Sequence, residues 1–372
     1  PNSFSARYYT SNMTKFETAY DLSPMPPFVV RAGGKPLDES FINLASNESP
    51  FGPSPKVLAA LEKRGASLNR YPDMGSIELV RAISDHFNVA PERVVCGPGG
   101  DMLILNLATA YAAHGFEIIH SEYAFIMFAR AALAVNAKAV VVPENNYTFS
   151  VDNALAAVTD KTRLLFVANP NNPTGTYLSA DELLRLREGL PEDVILMIDD
   201  AYVEYAEGLG APNGLDLARE RDDIVVLRTF SKIYGLAALR LGWMYAPEEI
   251  AENLHRLRLP FTINGMAQVG GIAALEDTPH TEMVLNHTHT WLPKLSDGLN
   301  GLGLEPLPSV GNFVTVRFPD PEKSAAAAQE FLHSREIIPR TAADYGMPDF
   351  LRITVGLEEE NLALLDALEE FL

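Results

Sequence analysis

Only one cysteine, Cys96, occurs among the 372 residues, so an intrachain disulfide is excluded and a reducing compartment suits the chain. A reactive thiol needs a base partner, and none is evident, so Cys96 is expected to be a buried structural thiol. No apolar run approaches the roughly 18 residues that suggest a membrane helix. The N-terminus also lacks the basic patch and apolar core of a signal peptide. The expected location is the cytoplasm, with no membrane partner. Positive charge is scarce as well: 29 Lys and Arg stand against 49 Asp and Glu, a formal net charge of −20. Such a field repels phosphate backbones, which argues against nucleic acid as a partner. An anionic substrate would therefore need a locally basic pocket. Metal-ligand spacing is missing too. His287 and His289 are two apart, wrong for one helix face, with no carboxylate close by in sequence; they are expected to be solvated, and no metal is expected.

With 47% hydrophobic and 21% charged residues, the chain has a globular composition and can bury a large core. Its length suggests one large unit and a smaller one. Residues 1–42 carry weak periodicity and a proline cluster, Pro24, Pro26 and Pro27, which reads as an arm. The chain opens on Pro1; Met13 is a candidate native start, with the first twelve residues an addition or a mobile arm. From 43 onward, short apolar runs alternate with helical patterns such as Ala180–Glu188. The runs are Ile118–Ile119, Ala139–Val142, Leu164–Val167, Val194–Ile198 and Ile224–Leu227. That alternation predicts an α/β fold with a mainly parallel sheet covered on both faces. A helical stretch over about 247–300 follows. Phe313–Phe318 and Phe350–Val355 read as strands, Lys323–Ser334 and Glu358–Leu372 as helices, giving a smaller α+β unit. The expected division is an arm at 1–42, a large unit at 43–290 and a small one at 291–372.

In open α/β sheets, ligands gather beyond the carboxyl ends of the strands, so the residues just after each apolar run matter most. After Val94–Val95 comes Cys96-Gly97-Pro98-Gly99-Gly100-Asp101, where glycines let backbone N–H groups approach a phosphate at a helix N-terminus. A plain tight turn fits that segment equally well. After Leu164–Ala168 comes Asn169-Pro170-Asn171-Asn172-Pro173-Thr174-Gly175, a rigid turn richer than a turn requires. Asp199-Asp200-Ala201-Tyr202 follows Val194–Ile198, and a buried carboxylate there must be paired or solvated. It reads either as a helix cap or as a partner for a cationic ring nitrogen. Arg228-Thr229-Phe230-Ser231-Lys232 follows Ile224–Leu227. Most of the nine lysines sit in solvated contexts, whereas Lys232 follows a buried strand and precedes a small apolar run ending in Arg240. Desolvation and cationic neighbours would make it nucleophilic; a salt-bridged structural lysine is the other reading.

Each of these four segments is ambiguous alone. Together and in this order they resemble the fold-type I pyridoxal-phosphate-dependent aminotransferases, specifically the histidinol-phosphate aminotransferase branch. Asn43-Leu44-Ala45-Ser46-Asn47-Glu48-Ser49-Pro50 is similar to that branch's asparagine-glutamate signature. Asn69-Arg70-Tyr71-Pro72 and Leu351-Arg352-Ile353-Thr354 match as well.

The resemblance implies a fold-type I architecture and pyridoxal phosphate as a Schiff base on Lys232, which would also move the α-proton. It further implies that Asp199 pairs with the pyridinium nitrogen and that Asn172 and Tyr202 bond the ring oxygen, while Tyr123 stacks on the ring. Gly100, Asp101, Ser231 and Arg240 would hold the cofactor phosphate, with Tyr71 reaching it from the neighbouring subunit of a homodimer with shared sites. Arg352, Arg340 and Asn47 would bind substrate, the partners being a small amino donor and a 2-oxo acid acceptor. The branch's arm carries a Pro-Tyr pair for substrate phosphate, whereas this chain has Pro24-Met25. Histidinol phosphate is the expected donor. An aromatic amino-acid aminotransferase, or a decarboxylase such as one acting on phosphothreonine, shares the same cofactor residues.

Overall fold

The computed structural model describes Tyr20 and residues 41–372. The rest of the expected arm, including Met13 and the Pro24-Met25 pair, lies outside the described residues. In chain order the strands are β1 (Ile42–Leu44), β2 (Val94–Gly97), β3 (Glu117–Ser121), β4 (Lys138–Val142), β5 (Thr162–Ala168) and β6 (Ile195–Asp199). They continue with β7 (Ile224–Thr229), β8 (Gly242–Tyr245), β9 (Glu305–Pro306), β10 (Phe313–Arg317), β11 (Ile337–Thr341) and β12 (Phe350–Thr354).

Seven strands form one sheet in the order β2-β8-β7-β6-β5-β3-β4. From β7 to β4 every pairing is parallel, while β8 runs antiparallel to both β7 and β2. The apolar runs are nearly unbroken because both faces are covered. Leu196, Ile198 and Val226 enter one core with the helices Ile77–Phe87, Ala180–Gly189 and Gly265–Leu275. Met197, Val225 and Leu227, one residue out of step, enter the other with Gly100–Tyr111, Ile126–Ala134 and Glu248–Leu257. Cys96 is buried in the first core, and burial pushes its thiol up to about 12.

The helical stretch expected over about 247–300 is divided into three helices, Glu248–Leu257, Gly265–Leu275 and Thr278–Gly301. Pro260 cannot supply the N–H needed to continue the first. Asn264 starts the second by accepting from the Ala267 amide at 2.8 Å. Residues 290 and 291, where the two units were expected to meet, lie inside the third. His287 and His289 of that helix are partly buried rather than solvated. Two positions apart on a helix, they face different neighbours, and each carries a ring nitrogen 2.8 Å from a carbonyl: His287 at Gly356, His289 at Tyr205.

The remaining strands form a second sheet, β1-β11-β12-β10-β9. Its core gathers Val314, Val316, Leu351 and Ile353 with Leu295, Leu332 and Leu364 of the covering helices. Strand β1 pairs in parallel with β11, so the chain crosses from the small sheet at Leu44 to the large one. Among the described residues no helix is long and apolar enough to cross a membrane.

Candidate active site

The crossing segment after β1, the carboxyl ends of β5, β6 and β7, and the two arginine-bearing strands β11 and β12 enclose a cavity of about 400 Å³. Strand alternation decides what enters it. Asp199, in step with Met197, faces the cavity, whereas Asp200 faces the opposite side of the sheet and Arg228, 3.3 Å away.

Lys232 lies on the turn after β7 with its Nζ 2.9 Å from the Ser46 carbonyl and 5.6 Å from the Tyr202 ring centroid. Burial, aided by the Arg352 charge, lowers its pKa to about 8. Asp199 closes β6, and its carboxylate accepts the Ala201 amide at 3.1 Å. Burial, with Asp101 adding to it, pushes this carboxyl up to about 7 against the pull of that amide and of Lys232. No ion pair reaches Asp199 among the described residues. An unpaired buried acid at a cavity wall suits a ligand that brings its own cation.

At the cavity's other end the helix Gly100–Tyr111 begins. Gly99 has φ +87°, and a Cβ there would stand 2.6 Å from an Arg240 guanidinium nitrogen. The glycine thus lets an arginine lie over the helix N-terminus. Arg240 is half-exposed, with Asp101 3.4 Å away, and Ser231 lines the same corner. Helix amides, a hydroxyl and a guanidinium make a phosphate-shaped donor set. A pyridine ring bearing a phosphate at one end and a ring cation at the other therefore fits these residues.

Arg340 and Arg352 face each other directly across β11 and β12, and both line the cavity. Arg340 pairs with Asp344 at 2.8 Å. Arg352 is buried, donates to the Asn172 side chain and the Ala45 carbonyl, and its Nε has no partner. Tyr202 is buried against Phe313, and burial raises its phenol pKa. Asn47 is buried behind it, donating from Nδ2 to the Tyr202 oxygen at 2.9 Å rather than lining the cavity.

Lys232, Asp199, Tyr202, Asn172, Gly100, Asp101, Ser231, Arg240, Arg340 and Arg352 thus meet at one cavity. Tyr123 is not among its lining residues; its ring packs 5.5 Å from Tyr147. Tyr71 lies outside as well, 80% exposed and stacked on Phe261 at 4.4 Å. Glu48, Phe125, Thr229 and Tyr345 line the cavity without having been singled out from the sequence. The Glu48 signal was present in the Asn47-Glu48 pair. Tyr345 sits on a short turn after β11, where no periodicity marks it.

The profile of a family described as aminotransferase class I and II matches residues 39–368. A histidinol-phosphate aminotransferase of Paramagnetospirillum magneticum is 48% identical over 334 residues, 90% of this chain and 92% of that protein. One of Maricaulis maris is 44% identical over 353 residues, covering 95% of this chain and 97% of its own length. Among solved structures, the histidinol-phosphate aminotransferase of Sinorhizobium meliloti in complex with pyridoxal-5'-phosphate superposes with a TM-score of 0.84. It is 27% identical and covers 89% of this chain and 90% of its own.

Proposed function

The chain belongs to the class I and II aminotransferase family, and we propose that it transfers the amino group of histidinol phosphate to 2-oxoglutarate with pyridoxal phosphate held on Lys232. The observation that carries the choice of donor is the pair Arg340 and Arg352, opposed on adjacent strands and both facing the cavity. Like charges placed opposite one another repel. A dianionic phosphate draws on both, whereas a monocarboxylate needs one. The names borne by the relatives at 44% and 48% identity support the same donor.

In this reading Asp199 holds a proton on the ring nitrogen, and the Gly99-Gly100 turn, Ser231 and Arg240 hold the phosphate. Bound pyridoxal phosphate supplies an electron sink for the pair left when the donor's α-proton departs. Once the donor's own amine has displaced Lys232 from the cofactor, the freed Nζ would take that proton. Its lowered pKa leaves a useful fraction as free amine near neutrality, and that fraction grows as pH rises through about 8. Tyr202 and Asn172 stand at the ring oxygen, and Arg352 grips the acidic end of the acceptor. Tyr71, exposed and outside its own cavity, would complete the phosphate site of a second copy in a homodimer.

Steady-state kinetics with 2-oxoglutarate and either histidinol phosphate or phenylalanine test the donor. Hydrogen bonds to a charged partner contribute about 1.5–3 kcal/mol, so Arg340→Ala should slow histidinol phosphate roughly ten- to a hundredfold in kcat/KM. Phenylalanine should be nearly unaffected. Faster turnover of phenylalanine by the wild type, with Arg340→Ala indifferent to both donors, would overturn the phosphate reading.

A further inference from the structure

We propose that Asn47 is a positioning residue that fixes the direction of the Tyr202 hydroxyl, making it a hydrogen-bond donor toward the cavity. The inference rests on the reading above, in which Tyr202 stands beside the ring oxygen of pyridoxal phosphate. An amide nitrogen offers hydrogens only. Because Asn47 Nδ2 donates to the Tyr202 oxygen at 2.9 Å, the phenol accepts on that side and its own hydrogen is left for an acceptor in the cavity. With the amide reversed, Tyr202 would give its proton to Asn47 and face the cavity as an acceptor. A negatively charged ring oxygen would then be repelled.

Asn47 is well placed to hold one direction. It is fully buried, with φ +53°. Its backbone amide donates to Thr354 Oγ1 at 2.9 Å, and its carbonyl accepts from the Asn312 side chain at 3.1 Å. Thr354 Oγ1 shares its one hydrogen between the Leu44 carbonyl at 2.8 Å and Asn47 Oδ1 at 3.3 Å, which keeps the amide oxygen on the β12 side and its nitrogen toward Tyr202. Thr354 and Arg352 lie two residues apart on β12, so one strand carries both the substrate-side arginine and the clamp behind Tyr202. The small sheet therefore sets the polarity of a hydroxyl that belongs to the large one.

Asn47→Gly and Asn47→Asp both keep the left-handed backbone, since both residues adopt positive φ readily, and thermal melts with cofactor uptake check that each variant folds. The readout is the absorbance titration of the cofactor-loaded protein, which reports the pH at which the nitrogen joining Lys232 to the cofactor loses its proton. A hydroxyl donating to the neighbouring ring oxygen stabilises the deprotonated form and lowers that pH. Losing the direction of one hydrogen bond should raise the midpoint by about half to one pH unit in Asn47→Gly. The rise should vanish when the same change is made in Tyr202→Phe, where there is no hydroxyl to direct. Asn47→Asp should shift the midpoint further up, and by more with Tyr202 present than with Phe in its place. Equal shifts in both backgrounds, or none with Tyr202 present, would overturn the role of Asn47. A wild-type chain that takes up no pyridoxal phosphate on Lys232 would instead overturn the underlying reading.

Discussion

Asp199 and Asp200 are adjacent, both buried at the end of β6, and the sheet sends them to opposite sides. Asp200 meets partners that the chain itself supplies. Arg228 lies 3.3 Å away, the Gly214 amide donates at 2.9 Å, and Glu204 shares the same guanidinium at 3.1 Å. Burial raises both carboxyls, but at Asp200 a buried guanidinium opposes it directly, while at Asp199 the nearest help is one amide. The difference supports the proposal that Asp199 serves a ligand while Asp200 serves the fold. A structural carboxylate has its cation built in, and a functional one is left to receive it.

Breaking the functional member should separate activity from folding. A buried ion pair broken from one side costs about 3–5 kcal/mol, so Asp199→Asn should lower kcat roughly a hundred- to several-thousandfold. The same change should stabilise the cofactor-free protein at pH 8. The Asp199 carboxyl has its folded value raised to about 7 from 3.8, so the stability it contributes is full below 3.8 and lost as pH rises through 7. Thermal melts of the cofactor-free pair at pH 5 and pH 8 check this: the variant's advantage should appear at the higher pH and fade at the lower. Equal activity in Asp199→Asn would remove it from the mechanism.

The structural member should behave the other way. Arg228→Met strands Asp200 and Glu204, and a loss of about 3–5 kcal/mol of stability is expected with or without cofactor. Chemical denaturation of both forms measures it. A variant that folds normally and loses only activity would erase the distinction between the two acids.

The smallest effect concerns Tyr71, which stands apart from either acid. Mixing inactive Lys232→Ala and Tyr71→Ala chains should restore activity in hybrids, up to about a quarter of the wild-type sites for a freely exchanging symmetric dimer. Proven subunit exchange with no recovery would remove the shared site.

The seven-stranded sheet was legible because buried parallel strands announce themselves as apolar runs, and the residues after those runs named most of the cavity. Lys232 and Asp199 were readable for that reason. The second acid's role was not, since only strand alternation in three dimensions separates Asp199 from its neighbour. Asn47 was expected at the substrate, yet a left-handed turn tucks it behind Tyr202. Strand β8 was not expected from its apolar run at 241–246, and its antiparallel course needs the fold to be seen. His287 and His289 misled because a polar run on a helix gives no sign of the carbonyls it will meet.

The account turns on Lys232 being the residue that carries pyridoxal phosphate. Borohydride reduction of the yellow protein, followed by peptide mapping by mass spectrometry, tests it most directly. The account predicts a single pyridoxyl adduct on the peptide containing Ser231-Lys232, absent from Lys232→Ala. An adduct on any of the other eight lysines, with Lys232 unmodified, would contradict it.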